Sequence, residues 1–192
     1  MKKIANQLMV MLLITVMLVG CGKEMLVSDL NISTLKSEFI NNIDKASLSE
    51  TEIDNGYEFE GTADYISSKI RIKGMANSEK NIANIEMTIS ECVDINYFET
   101  LTFEQFSEDL LENPEHVTEA EFCTLGFVFY ASELIPVMND GANGKSDIEK
   151  YVSFILGLKN GKKESNGWKY SLVVNKSTEM ITLTAEYVGE KE

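Results

Sequence analysis

The sequence predicts an α+β domain of about five mainly antiparallel strands, with helices packed on one face of the sheet and a polar opposite face. Apolar and polar residues alternate over 57–74, 84–97 and 168–187, a period of two that is typical of strands with one buried face. Between these stretches, over 102–158, apolar residues recur every three or four positions, as in helices that bury one side. Separate runs of strands and helices favour the α+β class.

The first helix and the first two strands follow one another closely. An apolar stripe at helical spacing predicts the helix; it consists of Ile32, Leu35, Phe39, Ile43 and Ala46. Alternation then predicts strands over 57–65 and 69–74. A tight loop at Ile66-Ser67 would set Glu60 opposite Lys73 and Asp64 opposite Lys69, so that charge pairing supports one register.

The third strand is predicted over 84–97, with alternating apolar and polar residues. Glu91 interrupts its apolar row, which indicates a bulge or kink near Ser90 to Cys92.

Three helices are predicted next, each from capping residues. Thr102 with Gln105, Thr118 with Glu121 and Ser146 with Glu149 have capping-box spacing. The middle helix runs to Asn139-Asp140-Gly141 and is apolar on most sides, so we expect it to be the central buried helix. Its Phe and Val content leaves a partly extended segment at 119–138 as the alternative.

The last two strands form a hairpin in which Val174 lies opposite Ile181 and Lys169 opposite Glu186. The polar face of the first three strands is then the candidate binding face. Its residues are Glu58, Glu60, Thr62, Arg71, Lys73, Glu86, Thr88 and Ser90.

The N-terminus has the three parts of an export signal. Lys2 and Lys3 are basic, residues 8–19 are almost entirely apolar, and Leu18-Val19-Gly20-Cys21 closes the segment. The apolar run is about twelve residues, whereas a membrane-spanning helix needs about twenty. These last four residues resemble the lipobox of bacterial lipoproteins. The resemblance implies cleavage after Gly20 and attachment of diacylglycerol to Cys21. We therefore expect a signal peptide at 1–20, a tether at 21–30 without contacts to the domain, and one domain at 31–189.

The charge of the chain bears on its partners. Removal of Lys2 and Lys3 from the 17 basic residues leaves 15 against 31 acidic ones, a net charge of −16. Such a surface repels the phosphates that supply nonspecific affinity for nucleic acid. We therefore expect no nucleic-acid partner.

Two cysteines remain beside Cys21. Cys92 is predicted on the polar face of the third strand and Cys123 in the helix over the apolar face, so the sheet would separate them. A disulfide needs Cα atoms within about 7 Å, and we expect free thiols. Export would favour a bridge, and a bulge at Glu91 could turn Cys92 inward.

Several chemistries lack their residues. His116 is the one histidine and lies in a polar loop, so a nucleophile-base pair and a zinc site of several His or Cys ligands are not expected. Residues 139–150 resemble a calcium loop only in part, because Lys150 stands where a bidentate Glu is needed. No cofactor or metal is expected.

These observations predict a lipoprotein held on the extracytoplasmic side of the cell membrane by Cys21. Its domain is expected to be a non-catalytic binding or accessory module, with an envelope protein as the possible partner. Two alternatives remain: a cell-envelope hydrolase that uses a carboxylate pair, and a structural or inhibitory lipoprotein.

Overall fold

The strands of the protein form one antiparallel sheet. The computed structural model describes residues 25–43, 48–63, 66–144 and 147–189. Within them the sheet has seven strands in the order β1-β2-β3-β4-β7-β6-β5. They are β1 (Ser49–Ile53), β2 (Gly56–Ala63), β3 (Ile66–Ala76), β4 (Ile82–Ser90), β5 (Lys163–Ser165), β6 (Trp168–Asn175) and β7 (Met180–Tyr187). The α+β class is confirmed, and the number of strands is seven instead of about five.

The helices lie between the two groups of strands along the chain, apart from α1. In the described part they are α1 (Ile32–Glu38), α2 (Ile95–Thr100), α3 (Phe103–Ser107), α4 (Glu119–Asp140) and α5 (Ile148–Gly157), with α3 continued by a π-helical turn at Glu108–Glu112. Thr118 and Glu121 form the predicted capping box at the start of α4. Asp147 caps α5 by accepting from the Lys150 amide, whereas the predicted cap, Ser146, lies outside the described residues.

The core is a single apolar cluster of buried strand and helix residues. Ile70, Ile72, Met87 and Leu183 belong to a single apolar cluster with residues of α4. Within the described chain, α4 is the one helix long and apolar enough to cross a membrane, but 78 % of its apolar window is buried in the domain. Such burial is that of a core helix, as the sequence predicts for this segment.

Of the two predicted hairpin registers, that of the last hairpin is confirmed and that of the first is wrong. Val174 lies opposite Ile181 and Lys169 opposite Glu186, as predicted. In the first hairpin Glu60 lies opposite Arg71, not Lys73, a shift of two residues. A shift of two keeps every side chain on its face. The polar face therefore has the predicted composition but different cross-strand pairs.

The third predicted strand ends earlier than expected. β4 stops at Ser90, and Glu91 and Cys92 take left-handed backbone angles, with φ of 67° and 49°. The chain turns there, and Asp94 caps α2 by accepting from the Tyr97 amide at 2.9 Å. The residues 95–97, predicted as strand, are therefore helical. The irregularity predicted near Ser90 to Cys92 is therefore present, but it is a turn that ends the strand and not a bulge within it.

Residues 28–30 are part of the folded domain. Ser28 is buried, and its hydroxyl donates to the Ile82 carbonyl at 2.7 Å. The Leu30 side chain is 5 % exposed, and the Ile82 amide donates to its carbonyl at 2.8 Å. The expected lack of contacts up to residue 30 is therefore wrong for Ser28–Leu30. Burial of the Leu30 side chain and hydrogen bonds to Ile82 of β4 hold residues 28–30 against the domain. Residues 1–24, with Cys21, lie outside the described residues.

Candidate functional site

The polar face of the sheet brings together all eight predicted site residues. Alternation along β2, β3 and β4 points them to one side, and the registers align them in rows across the strands. One row runs through Glu60, Arg71, Thr88, Thr182 and Val173, from β2 to β6. The face is therefore a continuous surface over five strands.

A second row runs parallel to the first. It consists of Glu58, Lys73, Glu86, Thr184 and Ser171. Acidic side chains on β2 thus lie beside basic side chains on β3, while β7 presents hydroxyl groups. Most charges of the face lie on β2 and β3, and Glu86 adds a negative charge on β4 beside Thr184.

The charged side of the face is internally paired. Arg71 donates to Glu60 at 3.2 Å and lies 3.8 Å from Glu58, and Lys69 forms a close ion pair with Glu60. The hydrogen bond from Lys69 lowers the pKa of Glu60, the charges of Lys69 and Arg71 act in the same direction, and desolvation opposes them. Exposed pairs of this kind stabilise a fold only weakly. Their consequence here is that opposite charges neutralise one another on the face.

The centre of the face is made of hydroxyl groups. Thr88 and Thr182 are each 9 % exposed, and their hydroxyl oxygens lie 3.0 Å apart in a hydrogen bond. Ser90 and Thr184 are half-buried beside them. Val173, at the end of the row, is 57 % exposed. Short hydroxyl side chains on adjacent strands thus form an uncharged patch, which Glu86 borders on β4.

Thr182, Thr184, Ser171 and Val173 were missed as candidate residues. The sequence predicted their alternation in the last hairpin, but the pairing of β7 with β4 joins segments about a hundred residues apart. Sequence spacing does not indicate which distant strands pair. The alternation of Thr182 and Thr184 indicated a polar side of the last strand, but not its position beside β4.

A polar cavity offers a second location, at the edge where the N-terminal segment meets the end of α4. It is open and has a volume of about 340 Å³, with Asp29 and Asp140 among its lining residues. Several polar groups around it already have partners. Asp140 accepts from the Asn166 amide at 3.3 Å, and the Tyr170 hydroxyl donates to Asn139 at 2.8 Å. The cavity brings two carboxylates to one opening, which is the minimum a carboxylate-pair hydrolase requires.

Of the residues tested for catalysis and metal binding, Asn139 lines this cavity, whereas His116 and Asp147 do not. The side chain of His116 is 72 % exposed, and its Nε2 lies 3.9 Å from a Glu115 oxygen. Asn139 and Asp147, two of the partial calcium positions, bond to Tyr170 and cap α5 respectively. Among the described residues, no group of three or more His, Cys, Asp or Glu side chains is arranged to hold a metal ion.

Cys92 and Cys123 are both free thiols, as predicted, but the geometric reason for the prediction is wrong. Cys92 follows the end of β4 and packs against the core instead of lying on the polar face. Burial raises the pKa of the Cys92 thiol to about 11, and a hydrogen bond between its side chain and that of Cys123 adds to the shift. Both thiols therefore lie on the core side of the sheet, and the sheet does not separate them.

Comparisons of the chain with protein-family models, with curated proteins and with solved structures found no match.

Proposed function

We propose that the protein is a lipoprotein anchored by Cys21 on the extracytoplasmic side of the cell membrane, and that its domain is a non-catalytic binding module. The polar sheet face binds a protein of the cell envelope. The observation that carries this proposal is the neutral hydroxyl surface around Thr88 and Thr182, bordered by ion pairs such as Glu60 with Arg71.

This surface suits a protein partner better than a charged ligand. The chain carries a net charge of −14, yet the face offers paired charges and short hydroxyl side chains. The centres of protein interfaces are depleted in charged residues and need hydrogen bonds that match on both sides. The partner proposed here therefore has a flat surface with polar, uncharged groups at its centre.

The dimensions of the face set the strength of such binding. Five strands about 4.8 Å apart and about seven residues long give a planar area of roughly 500 Å². A standard interface buries about 800 Å² on each partner. The sheet face alone thus supports a transient complex, and a stable complex requires contacts from the loops at the sheet ends.

The proposal requires the helices to lie on the opposite face. In support of this, Lys36 of α1 donates to Glu50 of β1 at 2.6 Å, and Glu50 lies opposite Phe59 on the apolar side of the sheet. The buried residues of α4 join the apolar sheet residues in one cluster. We infer that the helices cover this side and leave the polar face open.

The tether proposed for the lipoprotein is short. Ser28 is fixed to Ile82, so the chain from Cys21 to Ser28 can reach at most roughly 25 Å. Met25, Leu26 and Val188 are exposed apolar side chains near this end of the domain, and Leu26 lies close to Gly189. A partner must then lie close to the membrane surface.

Site-specific photocrosslinking in the native cells tests the binding face. A photoreactive amino acid replaces Val173, which is on the face, or Ser153, which is exposed on α5. The expected result is a discrete crosslinked protein with the Val173 variant and none with the Ser153 variant. Equal crosslinking at both positions contradicts the proposed face. The absence of a crosslink at both positions also contradicts it and favours a structural lipoprotein.

An envelope hydrolase is the second candidate, because Asp29 and Asp140 line one open cavity. In that case Asp140→Asn would abolish hydrolysis of cell-wall polymer by the purified protein, while the face variant Thr184→Asn would not affect it. If neither the wild type nor the variants release products, the hydrolase is excluded for that polymer.

A further inference from the structure

Cys92 and Cys123 lie where the chain after β4 packs against the start of α4. The left-handed turn at Glu91 and Cys92 directs the chain away from the sheet. Behind it, the Asp94 amide donates to the Thr124 hydroxyl at 3.0 Å, and that hydroxyl lies 3.4 Å from the Asp94 carbonyl. These bonds fix the residue next to Cys123 beside the segment that follows Cys92. The Ser68 hydroxyl donates to the Cys92 carbonyl at 3.2 Å and holds the other side of the turn.

We propose that Cys92 and Cys123 are an oxidisable pair that forms an intramolecular disulfide when the folded protein meets a small-molecule disulfide such as glutathione disulfide. One thiolate attacks the small disulfide and releases one small thiol. The second thiolate then attacks the mixed disulfide and releases the other. The two cysteines lose two protons and two electrons in total, and the small disulfide is reduced to two thiols.

Exposure decides the order of the two attacks. Cys123 is 1 % exposed, whereas Cys92 is half-buried. The small disulfide therefore reaches Cys92 first, and Cys123 resolves the mixed disulfide from inside the core. Because the bond from Asp94 to Thr124 already holds the segment after Cys92 against the start of α4, the second step needs no large movement of the backbone.

The attack of Cys92 on the small disulfide is slow at neutral pH. The thiolate is the attacking species, and burial holds the pKa of Cys92 at about 11. The rate is expected to rise about tenfold for each pH unit between about pH 7 and about pH 9. A pair with these properties is a structural cross-link and not the reactive centre of an oxidoreductase.

Formation of the disulfide would stabilise the domain, because it closes a loop of the chain. The loop between the two cysteines has about thirty residues, and a cross-link of this length lowers the entropy of the unfolded chain substantially. For a domain of this size we expect a rise in Tm of about 10 °C on oxidation.

Peptide mapping tests the proposal directly. The full chain, expressed with its own N-terminus, is treated with excess glutathione disulfide under native conditions, alkylated and digested with a protease that cuts after glutamate. In the sequence, Cys92 then falls in the peptide 92–99 and Cys123 in the peptide 122–133. The expected result is one species that contains both peptides and separates on reduction, together with the rise in Tm.

The controls make each outcome decisive. Cys92→Ser removes the linked species and makes the Tm insensitive to the oxidant. If Cys92 and Cys123 are both alkylated in the wild type, or if Cys92 keeps a glutathione adduct, the proposal is overturned. The linked species is independent of the lipid on Cys21. A protein that forms the disulfide but carries no lipid would contradict the proposed function and leave this inference intact.

Discussion

Thr88 of β4 and Thr182 of β7 share a hydrogen bond between hydroxyl oxygens 3.0 Å apart, at the centre of the polar sheet face. The two residues are 94 positions apart in the sequence. Their strands join the N-terminal strands β1–β4 to the C-terminal strands β5–β7. The proposed binding face therefore depends on the pairing that holds the two parts of the sheet together.

Removing this hydroxyl pair should reveal coupling between the two residues. Thr88 and Thr182 are each 9 % exposed, so Thr88→Val or Thr182→Val leaves the remaining hydroxyl nearly buried and without its partner. Each substitution should lower the free energy of unfolding by about 1 kcal/mol. The double variant should lose less than the sum of the single losses. Urea unfolding measures all three.

Thr62→Val is the matched control, because Thr62 is exposed on the same face and its substitution should change stability by less than about 0.5 kcal/mol. Strictly additive losses for Thr88 and Thr182 would show that the hydroxyls do not act as a pair.

The N-terminal segment supplies a second prediction. Leu30 is 5 % exposed and Leu26 is 54 % exposed, although only four positions separate them. Leu30→Ala should therefore lower the free energy of unfolding by about 3 kcal/mol through the lost contacts and the cavity. Leu26→Ala should leave it almost unchanged. Thermal unfolding of both variants decides whether the folded domain begins before residue 31; equal effects would place Leu30 outside it.

Glu60 gives the face a pH dependence. Its pKa is lowered below the ordinary 4.5 by Lys69 and Arg71, so its ionised form stabilises the folded state. That contribution is present above about pH 4.5 and is lost as the pH falls through the folded-state pKa.

Between about pH 5 and about pH 3, Glu60→Gln should therefore lose less stability than the wild type. Glu79→Gln, at an exposed turn position, should follow the wild-type curve. Denaturant unfolding across this range makes the measurement, and coincident curves for Glu60→Gln and the wild type would rule out the ion pairs as a source of stability.

The parts of the fold that sequence predicts are those with a local signal. The capping box of Thr118 and Glu121, the length of α4 and the register of Val174 opposite Ile181 all follow from neighbouring residues. β1 was missed because Ser49–Ile53 reads as polar and its residues are mostly exposed. β5 was missed because Lys163–Ser165 is too short to show alternation.

The candidate site was predictable only to the same extent. Alternation identified the polar residues of β2, β3 and β4, but not the β4–β7 pairing that adds Thr182. The placement of Cys92 was predictable only as an alternative: the interruption at Glu91 indicated that Cys92 could turn inward, but not that two left-handed residues end β4 there. Such angles are uncommon for residues with a side chain, so the alternation up to Tyr97 indicated a strand that continues beyond the irregularity at Glu91.

The membrane anchor is the premise of the proposed function, and lipidation of Cys21 tests it most directly. Cells are fed an alkyne-labelled fatty acid, and the wild type is compared with Cys21→Ser. We predict label on a shortened, membrane-bound wild-type protein, and an unlabelled, full-length precursor for Cys21→Ser. If Cys21→Ser is shortened and retained on the membrane like the wild type, the protein is not a lipoprotein anchored at this residue.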